Sequence, residues 1–288
     1  MDILNILLVI VIVGLVIVAV SSLIDNNVIK KRCYTIKDSR IKKDLRFVFL
    51  SDLHGNSFGM NNERLIEDIK AAKPDFILIG GDMITAKSNK MGEEYWNNAL
   101  KLFEGLSDYK LIYGIGNHEY RMDLYREDFK NAFDRYSECL KKRNIQILYN
   151  ESEMLDDYNI KVSGLAIDRR FYKRFEKNEM TLEYLKECLG SREDAFTIML
   201  AHNPEYCDIY SKYADLTLSG HVHGGIAKLP VLGGVISPRL TLFPKYDGGY
   251  FKENNAHMII SRGLGSHTLP FRVFNPCELV IIDLKKIQ

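Results

Sequence analysis

Five short segments of the sequence carry residue types that bind metal ions, and each follows a predicted β-strand. Carboxylate, imidazole and amide oxygen are ligands suited to Mn, Fe or Zn. One such segment alone is more often a packed polar residue than a site, but five at strand ends, where α/β proteins place their sites, predict metal-dependent chemistry. The segments are Asp52-Leu53-His54, Gly80-Gly81-Asp82, Gly116-Asn117-His118-Glu119, Ala201-His202-Asn203-Pro204 and Gly220-His221-Val222-His223.

The spacing within two of these segments brings side chains together. Residues two apart on extended backbone project to the same face. Asp52 can therefore meet one site with His54, and His221 can do so with His223.

Short apolar strands and amphipathic helices alternate along the chain and must position these residues. Early βαβ units followed by more strands predict an α/β (α+β) fold in which two sheets pack together with helices outside. We expect one domain over residues 45–288. The predicted strands are 46–50, 76–79, 111–115, 146–149, 160–164, 196–200, 216–219, 258–261 and 279–284, and the predicted helices are 62–72, 95–106, 126–143 and 181–189.

The N-terminus is predicted to be a membrane segment. Ile3–Ile24 is almost entirely apolar, and about 20 such residues span the hydrocarbon layer as a helix. A cleaved signal peptide is the alternative, with Ala19-Val20-Ser21 as a cleavage site. A signal peptide usually begins with basic residues, and Met1-Asp2 has none, so we expect residues 1–24 to be an uncleaved transmembrane anchor.

A basic stretch follows the predicted anchor. Residues 25–46 contain eight Lys and Arg against three Asp. Residues 25–44 are predicted to be a juxtamembrane linker, which either lies along anionic lipid headgroups or is simply solvated. The positive-inside rule favours a single-pass protein of the cell membrane with its body in the cytoplasm, although an exported orientation stays open.

Composition excludes several other classes. With 46% hydrophobic and 27% charged residues and a net charge of +1, the chain is neither disordered nor polytopic, and no nucleic-acid binding is expected. The five cysteines lack a CxxC spacing, so neither a disulfide framework nor a cysteine zinc site is expected. The oligomeric state cannot be predicted.

The ordered set D-x-H, G-D, G-N-H-E, H and G-H-x-H resembles the calcineurin-like metallophosphoesterases. The resemblance runs from about Arg46 to the C-terminus. Ser219–Gly225, Ser261–Gly265 and Arg272 also look like a bacterial membrane-associated phosphodiesterase-like subgroup, related to the UDP-diacylglucosamine pyrophosphohydrolases. The family resemblance implies an αββα sandwich of two mixed β-sheets flanked by helices.

The resemblance also implies two divalent transition-metal ions (Mn, Zn or Fe) and a role for each motif residue. Two cations about 4 Å apart clamp a phosphate and supply a bridging hydroxide for in-line attack. His118, the implied catalytic residue, would face the phosphate and serve the leaving group as an acid or an electrostatic aid. The implied ligands are Asp52, His54 and His223 for one metal, Asn117, His202 and His221 for the other, and Asp82 as the bridge.

The expected activity is hydrolysis of a phosphodiester or pyrophosphate bond in a phosphate-ester substrate, lipid-linked or nucleotide-linked. The alternatives are a phosphomonoesterase acting on a soluble substrate and a non-catalytic metal-binding scaffold of the same fold. Arg262, in a Gly-rich turn, is a candidate phosphate ligand because guanidinium suits that contact. Glu119 either orients His118 or is a supporting carboxylate.

Other features have no fixed interpretation. Asp168–Phe175 mixes bases and aromatics and is either a solvated loop or a substrate contact. The apolar stretch Leu229–Phe243 either lines the site, rests on lipid or packs in the core. His257 and His267 lack a motif partner and are expected to be structural.

Overall fold

The computed structural model describes residues 3–88, 92–173, 176, 178–225, 228–229, 233–234, 243–266 and 271–287. His267, the last two residues of Asp168–Phe175 and most of Leu229–Phe243 lie outside this range.

Fourteen strands lie within the described residues. The first seven are β1 (Ile29–Asp38), β2 (Leu45–Leu50), β3 (Phe76–Ile79), β4 (Lys110–Gly114), β5 (Gln146–Leu148), β6 (Glu151–Leu155) and β7 (Ile160–Leu165). The others are β8 (Phe196–Ala201), β9 (Leu216–Ser219), β10 (Lys228–Leu229), β11 (Gly233–Gly234), β12 (Gly249–Glu253), β13 (Ala256–Ile260) and β14 (Cys277–Lys286).

These strands form two mixed six-stranded sheets and one short hairpin. The first sheet has the order β1-β14-β2-β3-β4-β5, and the second has the order β12-β13-β9-β8-β7-β6. Most neighbours run parallel, while β14 with β2, β12 with β13, and β6 with β7 run antiparallel. β10 and β11 pair with each other alone.

The two sheets pack face to face, and helices cover their outer faces. Alternation within β2 shows the division: Phe47 and Phe49 enter the core between the sheets, while Val48 and Leu50 join the core beneath the helices. Strands covered on both faces are apolar throughout. The predicted arrangement of two mixed sheets flanked by helices is confirmed.

Seven α-helices occur in the described part of the chain. They are α1 (Ile3–Asn27), α2 (Glu63–Ala72), α3 (Asn97–Gly105), α4 (Asn117–Leu124), α5 (Ala132–Lys141), α6 (Leu182–Leu189) and α7 (Cys207–Tyr213). The helix predicted from residue 126 begins only at Ala132. Lys130 and Asn131 have left-handed φ angles of 49° and 53°, and a right-handed helix cannot continue through such residues.

The predicted linker over residues 25–44 is wrong for its central part. Residues 29–38 form β1, which pairs in parallel with β14 along ten residues. Because basic residues occupy its start, this strand has no apolar run by which the sequence could predict it. Ile36 is buried in the core between the sheets, so β1 belongs to the folded body.

Helix α1 is apolar along its length and projects from the body. Among the described residues it is the one helix long and apolar enough to cross a membrane, with a mean hydropathy of 3.4 over its best window. This composition fits either a membrane span or a signal sequence. Only its last turns touch the body, where Ser22 and Asp25 are buried.

Candidate metal centre

The candidate ligands lie where five parallel strands of the two sheets end. β2, β3 and β4 of the first sheet lead into Asp52 and His54, into Asp82, and into Asn117. β8 and β9 of the second sheet lead into the three remaining histidines, His202, His221 and His223. The strand ends of both sheets therefore meet at one edge of the sandwich, where α/β folds hold their sites.

Five of the seven candidate ligands have left-handed backbone conformations. This region costs an L-residue roughly 1–2 kcal/mol and persists only where the surroundings enforce it. Such concentration is typical of a functional site. The residues are Asp52 (φ 55°), His54 (50°), Asp82 (53°), His221 (69°) and His223 (50°).

Two glycines let the loops approach each other closely enough. A Cβ on Gly81, whose φ is 87°, would lie 2.1 Å from the Gly116 nitrogen. A Cβ on Gly220 would lie 2.1 Å from Asp52 Oδ2. Larger residues at either position would push ligand loops apart.

One group of ligand atoms consists of Asp52, His54 and His223, all within 4.8 Å of one another. The two imidazoles face each other with their Nε2 atoms 3.2 Å apart. Asp52 Oδ1 lies 3.4 Å from His223 Nε2. A carboxylate and two imidazoles converging on one point form a divalent-metal donor set.

A second group adjoins the first and consists of Asp82, His202 and His221. His202 Nε2 lies 3.1 Å from Asp82 Oδ2 and 3.6 Å from Asp52 Oδ1, so it links the two groups. Asp82 also belongs to a third set with His54 and His118. Asp82 thus belongs to two of the three sets, and through His54 it adjoins the first group as well.

Outer contacts fix how the imidazoles point. His202 Nδ1 lies 2.7 Å from the Gly80 carbonyl oxygen, His223 Nδ1 lies 3.3 Å from that of Gly265, and His54 Nδ1 lies 3.2 Å from Thr85 Oγ1. Such partners orient a histidine so that its other nitrogen binds the metal. All three Nε2 atoms therefore face the cluster.

The ionisation of each carboxylate and imidazole in the cluster depends on its charged neighbours. Burial disfavours the imidazolium, yet the carboxylates of Asp82 and Asp52 raise the pKa of His202 to about 10. Burial likewise disfavours the Asp82 carboxylate, but His202 and His118 hold its pKa well below the usual range. Two buried carboxylates thus require positive charge beside them, which divalent cations supply.

Asn117 gives an independent sign of fit. Its side-chain oxygen Oδ1 is buried and accepts no hydrogen bond from the described residues. Buried polar atoms nearly always have a partner. An amide oxygen at this position, beside the second group, is suited to a metal. The seven predicted ligands thus fit a metal centre.

His118 sits beside the cluster with a defined tautomer. The Ala86 backbone N–H donates to His118 Nδ1 at 2.8 Å. Since that donor cannot accept, the neutral ring carries its proton on Nε2, which lies 3.9 Å from Asp82 Oδ2. The imidazole is buried, and its Nε2–H faces the cluster, where it can donate a hydrogen bond.

Glu119 does not orient His118 by direct contact, since both of its oxygens are engaged elsewhere. Oε2 accepts the amides of Asp82 and Gly116 at 2.9 and 3.1 Å, and Oε1 accepts that of Met83 at 3.1 Å. The Tyr113 hydroxyl donates to Oε1 at 2.7 Å. Burial and the Asp82 carboxylate raise the pKa of Glu119 to about 7. Its role is to hold the turn that carries Asp82.

The structure does not bring Arg262 to the metal ligands. Its guanidinium pairs with the buried Glu278 at 3.6 Å and lies against Gly248. Arg272, to which the sequence assigns no role, is instead buried and donates to the carbonyl oxygens of Gly263 and Gly265. These residues flank the cluster, because Gly265 also contacts His223.

One aromatic residue of the Asp168–Phe175 segment reaches the cluster. The Tyr172 ring meets His221 edge to face with centroids 5.0 Å apart. Asp168 caps the short turn over Arg169–Tyr172 by accepting the Arg170 amide. Tyr172 therefore forms one wall of the site, whereas Arg170 stacks over the neighbouring Phe171.

A two-sheet sandwich with a dense His, Asp and Asn cluster at its strand ends defines a metal-dependent hydrolase. The family model described as calcineurin-like phosphoesterase matches residues 45–225. The chain therefore belongs to the calcineurin-like phosphoesterase family. The expected class, a metal-dependent hydrolase of phosphoric esters, is confirmed at the level of the family.

Relatives agree with this assignment. An uncharacterized metallophosphoesterase of Campylobacter jejuni is 30% identical, over 90% of this chain and 65% of that protein. One from Aquifex aeolicus is 29% identical, over 88% of this chain and 90% of that protein. A phosphodiesterase of Escherichia coli is 25% identical, over 77% of this chain and 75% of its own length. The chain thus spans just under two thirds of the Campylobacter relative.

Proposed function

We propose that this protein is a membrane-anchored phosphoesterase that uses two metal ions to hydrolyse phosphodiester or pyrophosphate bonds. The observation that carries the proposal is the position of His202, between the buried carboxylates of two adjacent ligand groups. Asp52, His54 and His223 would hold one cation, and Asn117, His202 and His221 the other. Asp82 would serve both.

The chain's own residues supply the rest of the chemistry. Two bound cations would neutralise phosphate oxygens and provide a hydroxide nucleophile at neutral pH. His118 would donate a hydrogen bond from its Nε2–H to the departing oxygen, opposite the attacking side, and stabilise the negative charge that develops there. The Ala86 amide occupies Nδ1 and so places the ring N–H at Nε2. Tyr172 would limit the space beside His221.

The substrate and location follow from the anchor. Helix α1 would fix the body at a membrane, with the body in the cytoplasm, because the bases lie on its C-terminal side. A lipid-linked or nucleotide-linked phosphodiester fits that location. The Escherichia coli relative, a phosphodiesterase, supports a diester. An intact-mass measurement on the membrane fraction separates an uncleaved anchor from a removed signal peptide.

The test is hydrolysis of bis-p-nitrophenyl phosphate and p-nitrophenyl phosphate by the full chain in detergent. Metal-stripped protein is re-supplied separately with Mn, Zn, Fe and Mg. Asp82→Ala is compared with Asp157→Ala, which removes an exposed carboxylate from a turn outside the site. We expect metal-dependent turnover of the diester that only Asp82→Ala abolishes. Turnover of the monoester alone would replace the diester assignment, and absence of bound metal would overturn the proposal.

A further inference from the structure

The end of α1 is joined to the body through polar side chains on one helix face. Ser21 and Ser22 lie one turn before Asp25 and so share its side of the helix. This face meets residues 271–275, here called the docking segment. Ser21 Oγ accepts the Phe274 amide at 3.0 Å, and Ser22 Oγ accepts the Arg272 amide at 3.3 Å. Helix and body are therefore held in a defined orientation.

Asp25 makes the third and most buried of these contacts. Its Oδ2 accepts the Asn275 amide at 2.9 Å. The same oxygen accepts the Ser21 hydroxyl at 3.1 Å. Three amides of one short segment thus depend on acceptors supplied by the helix, which a flexible tether would not provide.

The docking segment lies at the depth where the apolar part of α1 ends. Phe274 bonds to Ser21, whereas Leu23 and Ile24, further along the helix, are still exposed and apolar. At 1.5 Å per residue, Ser21 sits about 4.5 Å farther into the apolar stretch than Ile24. Two aromatic side chains of the segment, Phe271 and Phe274, are 39% and 50% exposed. Aromatic residues at this depth are typical of a membrane interface.

Charge at the same level agrees with lipid headgroups. The exposed Arg64 donates to the carbonyl oxygen of Asn27, the last residue of α1, at 3.2 Å. A cation there suits both the helix C-terminus and an anionic headgroup.

The docking segment is also joined to the metal centre. Asn275 Nδ2 donates to the His223 carbonyl oxygen at 2.6 Å and to that of Gly225 at 2.8 Å. The Arg272 guanidinium holds Gly263 and Gly265 on the other side of His223. The docking segment thus connects the end of α1 to a candidate metal ligand.

We propose that the last turns of α1 and the docking segment form a bilayer-docking face, with Phe271 and Phe274 inserted at the boundary between headgroups and acyl chains. The occupant of this face is the lipid bilayer, and the face holds the His223 side of the site at its surface. This inference rests on the proposed role of α1 as an uncleaved anchor.

Tryptophan quenching in proteoliposomes tests the docking face. The full chain is reconstituted in phosphatidylcholine and phosphatidylglycerol, with bromines near the start of the acyl chains in one lipid and near their end in a second lipid as quenchers. Phe274→Trp reports on the docking segment and Ile12→Trp on the anchor. Ile287→Trp is the matched control, because it is also half-exposed but follows the far end of β14. The native Trp96 is buried and gives a constant background.

We expect the shallow bromines to remove most of the added fluorescence of Phe274→Trp, the deep bromines to remove most of that of Ile12→Trp, and both to leave Ile287→Trp unchanged. Quenching of Ile12→Trp without quenching of Phe274→Trp would rule out the docking face and still support the anchor. Failure of both would overturn the anchor. Phosphodiesterase activity is measured separately, so its absence would not be mistaken for either result.

A second pair of variants tests the hydrogen bonds that hold the segment. In the Phe274→Trp protein, Asp25→Ala removes the acceptor of the Asn275 amide. Asn27→Ala is the control, because among the described residues its side chain donates within α1, to the Leu23 carbonyl oxygen. We expect Asp25→Ala to reduce the quenching and Asn27→Ala to leave it intact. Equal quenching in both would contradict the docking role of Asp25.

Discussion

His118 is the residue whose chemistry the structure defines most sharply. A backbone amide occupies Nδ1, so the ring N–H is held at Nε2 beside the cluster. A proton donor matters most when the departing oxygen is a poor leaving group. The importance of His118 should therefore depend on the substrate.

We predict that His118→Asn lowers kcat/KM strongly for an alkyl phosphodiester and weakly for an aryl one. Asparagine can still accept the Ala86 amide but places no N–H at the position of Nε2. The expected loss is about 10²–10⁴-fold with glycerophosphocholine, and far smaller with bis-p-nitrophenyl phosphate, whose nitrophenolate departs without protonation. Steady-state kinetics on both substrates measures the difference. Equal losses would mean that His118 acts by position or charge alone.

Glu119 supports a second prediction at this scale. Its two oxygens accept three backbone amides and one tyrosine hydroxyl, all buried. In Glu119→Gln, an NH₂ group must face a donor whichever way the amide turns. Each buried donor left unsatisfied costs about 1–3 kcal/mol, and the turn carrying Asp82 loses its support.

We therefore expect Glu119→Gln to lower both thermal stability and the metal retained after dialysis. Glu127→Gln, at an exposed position, is the control and should match the unaltered protein. Metal analysis and thermal denaturation of the same samples give both readouts. Unchanged metal content in Glu119→Gln would remove Glu119 from the support of the site.

The site could be predicted from sequence in its ligand types but not in its supporting contacts. The motif order names seven residues, and the structure brings the six Asp and His residues into overlapping sets. That Arg262 pairs with Glu278, while Arg272 holds the carbonyl oxygens beside His223, depends on how the loop is folded and not on a local pattern. Left-handed φ angles at the ligands are likewise imposed by tertiary contacts that no local pattern encodes.

Edge strands explain most of what the sequence fails to predict about the fold. β1, β6 and β12 each end a sheet, and none was expected. An edge strand has one partner and exposes polar residues, so it lacks the apolar run that marks a central strand. The pairing of β1 with β14 also joins segments from opposite ends of the chain.

Strand β1 supports a prediction at the scale of elements. Ile36→Ala removes a side chain that is buried between the sheets. It should lower the free energy of unfolding by about 2–5 kcal/mol, as large-to-small core changes do. Lys37→Ala, on the exposed side of the same strand, should change it little. Denaturant unfolding in detergent compares the two, and equal stabilities would show that residues 29–38 act as a linker.

At the scale of the whole molecule, α1 and the body form one unit. The body begins within the basic stretch, and the last turns of α1 supply acceptors to the docking segment. Removal of α1 would leave three amides of the docking segment without these acceptors. Activity should therefore be measured on the full chain.

The orientation of that unit gives a prediction about cysteines. Cys33 is exposed on β1, shortly after α1, whereas Cys207 is buried. Burial raises the pKa of the Cys207 thiol to about 11, so at pH 7 it is protonated as well as inaccessible. Since the thiolate is the reactive form, Cys33 should react first with a maleimide.

We predict that a membrane-impermeant maleimide at pH 7 labels Cys33 in inverted membrane vesicles and not in intact spheroplasts. By the positive-inside rule the bases after α1 favour a body on the cytoplasmic side, which only inversion exposes to the reagent. Cys33→Ser assigns the signal, and labelling of Cys207 only after denaturation shows that the body was folded. Labelling in intact spheroplasts would reverse the orientation and place the metal centre on the outer face of the membrane, where its substrate would have to be found.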